Sequence, residues 1–247
     1  MNSPSSPGSV DLLVLAAYAP ELASMRRLLG DHLYGNVSGV VVACKAVGVG
    51  LPNATAGTTL RLMQLRPRAV VLVGTCGLYL NPDATVPGTI HDAQAGAPHV
   101  AGQYAIGDGV VARRVQLVDP IEIEQRGAMP EPMSRTIDCN PMIALGLGQG
   151  RTPTAEVANT LVLTTDDALG TLVSAGSGCV VENLECFGIA NACALQNVPF
   201  ACVVGIANHV GAKGRDEWRA YHKPAAHAAC ELVNRWLVAG AMGLPHG

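Results

Sequence analysis

An α/β fold, one sheet covered by helices on both faces, is what this sequence predicts, and three observations carry that reading. Short, almost purely apolar runs such as "DLLVLAA" and "VVLVG" alternate with longer segments of helical period. Apolar runs of this length suit strands buried on both faces, and their alternation with helices suits parallel pairing through crossovers. Hydrophobic residues make up 49% of the 247-residue chain and charged ones only 14%, which provides a large core beneath a thinly charged surface. No linker or internal repeat divides the sequence, so a single domain over residues 10–240 is expected, behind a disordered tail at 1–9, "MNSPSSPGS".

The elements follow in order. "DLLVLAA" (11–17) is the first predicted strand. "PELASMRRLLG" reads as a helix, with Pro20 at its start, where a missing N–H does no harm, and Gly30 at its end. "GVVVACKAVGVG" (39–50) is a strand running into glycines, and "LPNATAGTTLRLMQL" is helical. "RAVVLVGTCG" (68–77) is a buried strand ending in a turn of small residues, and "GTIHDAQAG" (88–96) reads as another. Residues 97–138 are rich in Gly and Pro, with "VARRVQLVDPIEIEQ" the strand-like part. "NPMIALGLG" begins a short helix; "NTLVLTTDD" (159–167) and "GCVVE" (178–182) read as strands. "NLECFGIANACALQN" is a helix, "PFACVVGIAN" a strand, and "KPAAHAACELVNRWLVAGAM" (223–242) the closing helix.

Composition also excludes. The net charge is -3 with no basic block, which argues against a nucleic-acid partner. No apolar run approaches ~20 residues, and the N-terminus has no secretory pattern, so a cytoplasmic protein without a membrane partner is expected. Cys44, Cys76, Cys179, Cys186, Cys193, Cys202 and Cys230 lie in apolar surroundings and none forms a CxxC pair, so they read as reduced core residues. No His/Cys/Asp cluster has metal-ligand spacing, and His91 and His99 read as loop residues, so neither metal nor cofactor is expected. Mean hydropathy of +0.29 with few charges suggests a covered face and hence a homo-oligomer.

Ligands of such sheets bind beyond the carboxyl ends of the strands. The unusual polar residues gather there: Glu21 after the first strand, Thr75 and Cys76 after "VVLVG", Asp166 and Asp167 after "LVLTT", Glu185 after "CVVE", and Asn208 after "ACVVGI". The otherwise apolar stretch 180–211 contains Glu182, Glu185 and Asn208, and buried charge is costly unless paired or used.

The order "VGTCG", then "VENLE" opening a helix, then "VPFACVVGIAN", resembles the nucleoside phosphorylase and nucleosidase superfamily, which includes purine and uridine phosphorylases, methylthioadenosine/S-adenosylhomocysteine nucleosidases and futalosine hydrolase. The match runs from "LLVLAAYAPEL" to the C-terminal helix. The resemblance implies a central twisted mixed sheet surrounded by helices, cleavage of a nucleoside's glycosidic C–N bond, and a dimer, with a hexamer as the other family arrangement. It implies that Asn183, Leu184 and Glu185 form the sugar side of the site, with Glu185 on the ribose hydroxyls and Leu184 beneath the sugar. Thr75, Cys76 and Gly77 of "GTCG" would line the substrate, and "GVGLPN" would lie on the ribose side.

The phosphorylases of the family carry a "GDPxR" loop and an arginine before their "VG(S/T)CG" turn. Here the loop is "AAYAPEL" and the position before the turn is Leu72, while Arg26 and Arg27 lie one to two helical turns farther on. A leucine cannot grip phosphate as an arginine does. The nucleosidases instead have "GAMEEEV", and gapless alignment puts Glu21 in place of the glutamate that activates water. Hydrolysis is therefore expected, with phosphorolysis the alternative. A second alternative is a nucleoside-binding protein with little catalysis, suggested by Val204 where the family has an arginine and by Leu169 where it has a base-stacking aromatic.

Asn208 stands where adenine-specific nucleosidases have the aspartate of "ISD". An amide cannot act as an acid near neutrality, but it can accept from N7–H and donate to O6, a pattern matching a 6-oxopurine such as that of futalosine or inosine. "IANHVGAKGRDEW" also resembles the "ISN.VG.RD...W" of futalosine hydrolase, with Ala207 in place of the serine. His209 or Trp218 could supply a ring beside the base, and of the aspartate pair Asp167 is taken to face the base.

Overall fold

The structure, a computed structural model, describes residues 10–80 and 104–245. The expected tail at 1–9, the expected strand at 88–96, and His91 and His99 lie outside the described residues. The rest forms one α/β domain. β1 (Leu12–Ala16) is buried along its whole length and pairs in parallel with β3 (Val40–Ala46) on one side and β4 (Ala69–Leu78) on the other. β2 (Tyr34–Val37) closes that edge antiparallel to β3. Apolar β-branched runs buried on both faces are what made these strands legible.

Beyond β4 the sheet curls. β9 (Phe200–His209) lies parallel to β4 and antiparallel to β5 (Gly109–Leu117). β5 pairs with β7 (Thr154–Asn159), β7 with β8 (Val181–Asn183), and β8 returns to the end of β4 at Gly77 and Leu78. The pairings β4–β8–β7–β5–β9–β4 thus close a ring, and β6 (Thr136–Asp138) adds an outer edge on β5. The sheet is mixed, as expected, but the closure was not visible in any single strand.

Helices cover both faces. α2 (Leu51–Leu65) and α6 (Cys186–Leu195) pack on one face over Leu13, Val70, Leu72, Cys202 and Val204. α7 (Gly214–Val238) and the segment after β1 pack on the other, over Leu12, Val14, Val71 and Val203. Residues Ala19–Met25 form a 3₁₀ segment and only Arg26–Leu29 is α-helical, as α1. Short helices at α3 (Pro120–Ile123), α4 (Pro141–Gly148, capped by the Asn140 side chain) and α5 (Asp167–Ser177) complete the fold. Among the described residues no helix is long and apolar enough to cross a membrane, and all eight cysteines are free and buried.

Three expectations are corrected. "NTLVLTTDD" is not a strand: β7 ends at Asn159, and Leu161, Val162 and Leu163 are exposed at 64%, 71% and 56%. The true strand, "TAEVAN", alternates intermediate or exposed Thr154 and Glu156 with buried Ala155 and Val157, a pattern hidden beside the more apolar run. "VARRVQLVDPIEIEQ" does not continue as a strand past Leu117, because Asp119 caps a helical turn by accepting from Ile121 N–H at 2.8 Å. The last helix starts at Gly214, ahead of Pro224, which lies inside it. Proline costs an interior helix one hydrogen bond and some strain, and here Glu217 and Trp218, bonded to His209 and Thr75, hold the helix before it while buried Ala225, Ala229 and Cys230 pack it after.

β9 and α7 approach closely at Gly205, where an added Cβ would fall inside the Ala225 carbonyl oxygen. Gly205→Ala is expected to lower stability by about 1–3 kcal/mol through overpacking. The measurement is a urea titration, with a lower midpoint at unchanged slope.

Candidate active site

The first strand delivers Glu21 through a sharp turn. Pro20 starts the 3₁₀ segment, and Glu21 sits in its first turn with 8% of its surface exposed. One carboxylate oxygen, Oε2, accepts from the Tyr18 N–H at 3.1 Å, as an N-terminal helix carboxylate does. The other, Oε1, reaches across to β4 and accepts from Thr75 N–H at 3.1 Å and from its hydroxyl at 3.2 Å. Burial raises the Glu21 pKa to about 7; the Glu185 charge pushes the same way, and the donors from Tyr18 and Thr75 offset only part of it.

The same end of β4 holds the turn into α6. Asn183 donates from Nδ2 to the Thr75 carbonyl at 3.0 Å, while its Oδ1 accepts from Glu185 N–H at 2.8 Å and Cys186 N–H at 2.7 Å. Buried Asn159, at the end of β7, accepts from Phe187 N–H at 2.8 Å. These two asparagines satisfy the first N–H groups of α6 and fix Glu185 at its N-cap. Glu185 Oε1 then accepts from Gly50 N–H at 2.8 Å, in the glycine-rich turn before α2, and burial raises its pKa. Gly50 has φ of 82°, a conformation that favours glycine.

Asn208 lies near the end of β9. The β4–β9 register slips between Cys76 and Gly77, so that Asn208 rather than Ala207 faces Gly77. A Cβ on Gly77 would stand 2.9 Å from Asn208 Nδ2 and 2.8 Å from Val210, so this glycine makes room for the amide. Asn208 Nδ2 donates to the His209 carbonyl at 2.8 Å. His209 is itself clamped by Glu217, which accepts from its N–H at 2.7 Å and approaches its Nδ1 at 3.2 Å. The next residue on α7, Trp218, donates from its indole N–H to the Thr75 hydroxyl at 3.1 Å and stacks on His222 at 4.5 Å.

The other named residues fall out differently. The Cys76 side chain is turned into the core, 3% exposed, and burial drives its thiol far up, so only its backbone borders the site. Asp166 caps α5 by accepting from Leu169 N–H at 2.8 Å, and Asp167 accepts from Ala212 N–H at 2.9 Å; both therefore hold backbone in place. Leu169 and Leu184 are half-buried. Leu72 and Val204, where the resemblance would put arginines, are core residues. Arg27 pairs with Glu231 on the outer surface. Glu182 is a structural carboxylate: it accepts from Tyr79 OH at 3.0 Å and from Thr164 N–H and hydroxyl at 3.1 and 2.5 Å, pinning the loop after β7. Tyr18, Gly50, Asn159 and Glu217 were not singled out in the sequence. Their contributions depend on contacts between distant segments, and only the glycine-rich stretch around Gly50 left a signal.

No family model and no curated protein sequence matches this chain. Solved structures do. A 5'-methylthioadenosine/S-adenosylhomocysteine nucleosidase from Colwellia psychrerythraea in complex with adenine superposes with a TM-score of 0.76 at 18% identity, over 95% of this chain and 96% of that one. A futalosine hydrolase mutant of Helicobacter pylori gives 0.72 at 15% identity, over 93% and 99%. A mutant methylthioadenosine/S-adenosylhomocysteine nucleosidase of Helicobacter pylori with 5'-methylthioadenosine in its active site gives 0.76 at 12%, over 93% and 98%. The chain has the fold of these nucleosidases.

A carboxyl whose pKa is raised from 4.5 to about 7 keeps its proton in the folded state up to about pH 7. Its contribution to stability is fully present below the unfolded value, declines as pH rises, and is lost above about 7. Between about pH 5 and pH 8 the wild type is expected to lose on the order of 2 kcal/mol relative to Glu21→Gln. Denaturant unfolding of both proteins at the two pH values measures this; parallel pH dependences would show that Glu21 is not held protonated.

Proposed function

We propose that this chain hydrolyses the N-glycosidic bond of a purine nucleoside, and that the base is a 6-oxopurine. The observation that carries the reading is Glu21: a buried carboxylate at a strand end, fixed by three donors, with a pKa raised to about 7 by burial and by the nearby Glu185 charge. Such a group can take a proton from water near neutral pH. Among the described residues, no hydrogen bond of Glu21, Thr75, Asn183 or Glu185 involves an arginine or lysine, which favours water over phosphate as the attacking group. The structural neighbours that carry adenine or 5'-methylthioadenosine, and the futalosine hydrolase, support a nucleoside as the ligand.

In this reading Glu185, set at the start of α6, binds the ribose hydroxyls, with Leu184 below the sugar. Water attacks C1' as its proton passes to Glu21, and the bonding pair of the C1'–N bond moves into the departing base. The departing base takes a proton from solvent water at N7, and Asn208 accepts from that N7–H through Oδ1. One Nδ2 hydrogen is held by the His209 carbonyl, which leaves the second to donate to O6. The deciding experiment is a nucleoside panel with and without phosphate. Release of free base and ribose in phosphate-free buffer is expected; strict dependence on phosphate, with ribose 1-phosphate as product, would refute hydrolysis.

Asn208→Asp is expected to weaken 6-oxopurine cleavage by about 1–3 kcal/mol, because two acceptors then face each other at O6. Adenine nucleosides, whose 6-amino group donates, should gain relative to them. Glu21→Gln and Glu185→Gln should lower both activities together. Kinetics on inosine- and adenosine-type substrates give the ratio across the three variants; only Asn208→Asp should move it about tenfold, and an unmoved ratio would make Asn208 structural. We further propose a homodimer, supported by exposed Leu60 and Met63, 51% and 67% accessible and one turn apart on α2. Light scattering should return about twice the 25.4 kDa of one chain; a monomer mass at micromolar concentration would refute it.

A further inference from the structure

The hydrogen bonds at Thr75 have a direction. An indole N–H is only a donor, and an ionised carboxylate is only an acceptor. The Thr75 hydroxyl stands between the two, 3.1 Å from Trp218 Nε1 and 3.2 Å from Glu21 Oε1. Once Trp218 has occupied one of its lone pairs, its single hydrogen is left to point at Glu21. We propose that Trp218 is a positioning residue for the water-activating carboxylate: it orients the Thr75 hydroxyl toward Glu21, and so stabilises the ionised form of Glu21 from more than one bond away. The catalytic part of this inference rests on Glu21 being the base, as argued above.

The surroundings leave Glu21 dependent on such neutral donors. The titratable and charged groups on the elements packed about its segment include Glu185 at the start of α6, Cys44 and Lys45 on β3, Cys76 on β4, Arg26 and Arg27 on α1, and His222, Lys223, His227, Cys230 and Glu231 on α7. Cys230 donates from Sγ to the Glu21 carbonyl at 3.1 Å, His227 is engaged with the Ser24 hydroxyl, and Glu231 with Arg27. None of these hydrogen bonds or ion pairs brings a cation to the Glu21 carboxylate. A hydroxyl polarised by an indole N–H gives a stronger donor than a freely rotating one, and hydrogen bonds to the charged form lower a carboxyl pKa. Mere packing does not account for the geometry, since Trp218 is half-buried and already stacks on His222.

The test is a pH profile and a double-mutant cycle. Asn208 has no proton to titrate in this range, so the rate should rise through the Glu21 ionisation. Trp218→Phe keeps a ring and removes the N–H. It is expected to move the midpoint of that rise upward by about half a unit, which costs about twofold in rate at pH 7 and nothing at pH 9. Thr75→Val should move it further, and adding Trp218→Phe to Thr75→Val should then change nothing more, because the two act through one hydroxyl. An unchanged midpoint in Trp218→Phe, or an equal added shift in the Thr75→Val background, would overturn the proposal.

A second readout does not need activity. The chain has two tryptophans, and the other, Trp236, is 1% exposed and bonded to the Met242 carbonyl at 2.9 Å. In a His222→Gln background, which removes the stacked imidazole, Trp218 emission should change with pH around neutrality. Adding Glu21→Gln should abolish that change. Flat emission, or a change that survives Glu21→Gln, would overturn the chain of bonds. If the wild type cleaves no nucleoside, the functional reading fails while this titration still decides the role of Trp218.

Discussion

Three segments far apart in sequence meet on one residue of a fourth, and that residue is Thr75. Its N–H and hydroxyl hold Glu21 from the turn after β1, its carbonyl holds Asn183 at the start of α6, and its hydroxyl receives Trp218 from α7. Thr75 can do this because β4 is the strand on which the sheet turns: β1 and β9 flank its body and β8 pairs with its end. On one edge of β4 the β1 pairing stops at Leu72 and the β8 pairing starts at Gly77, so the backbone groups between them face other segments and not one continuous ladder. A threonine suits the place because it offers a hydroxyl that both donates and accepts, on a strand otherwise made of small and branched apolar residues.

The three acidic residues of the apolar core separate by what surrounds them. Glu182 is met by a tyrosine hydroxyl and by both donors of Thr164, and it serves to fasten a loop whose own side chains, Leu161 to Leu163, stay outside. Glu21 and Glu185 instead lie at the rim and repel one another, and burial raises both pKa values. The fold tolerates them because backbone N–H groups at two turns are aimed at them, from Tyr18 and Thr75 in one case and Gly50 in the other. A site held by neutral dipoles keeps a carboxylate near its ionisation point in a way that a guanidinium partner would not.

The first turn of α7 connects the two ends of this site. Glu217 fixes His209, whose carbonyl fixes the Asn208 amide, while the adjacent Trp218 fixes Thr75 and through it Glu21. That anchoring explains why the helix begins at Gly214 and runs through Pro224. Asp167, expected at the base, holds with its Oδ1 the Ala212 N–H in the loop that leads into α7.

Patterns confined to one segment were legible in the sequence alone. The buried runs of β1, β4 and β9 and the fifteen residues of α2 stand where the apolar spacing placed them, because burial on both faces of a strand or on one face of a helix leaves a local signature. Glu21, Thr75, Glu185 and Asn208 were legible as polar residues at strand ends, where an α/β sheet exposes its backbone to ligands. The tertiary structure alone decided the rest. It closed the ring through β8, exposed "LVL" and made "TAEVAN" the strand, turned Cys76 inward, and set the two aspartates on backbone N–H groups. Each of these is set by which distant N–H or carbonyl lies within about 3 Å, a distance that no spacing within one segment encodes.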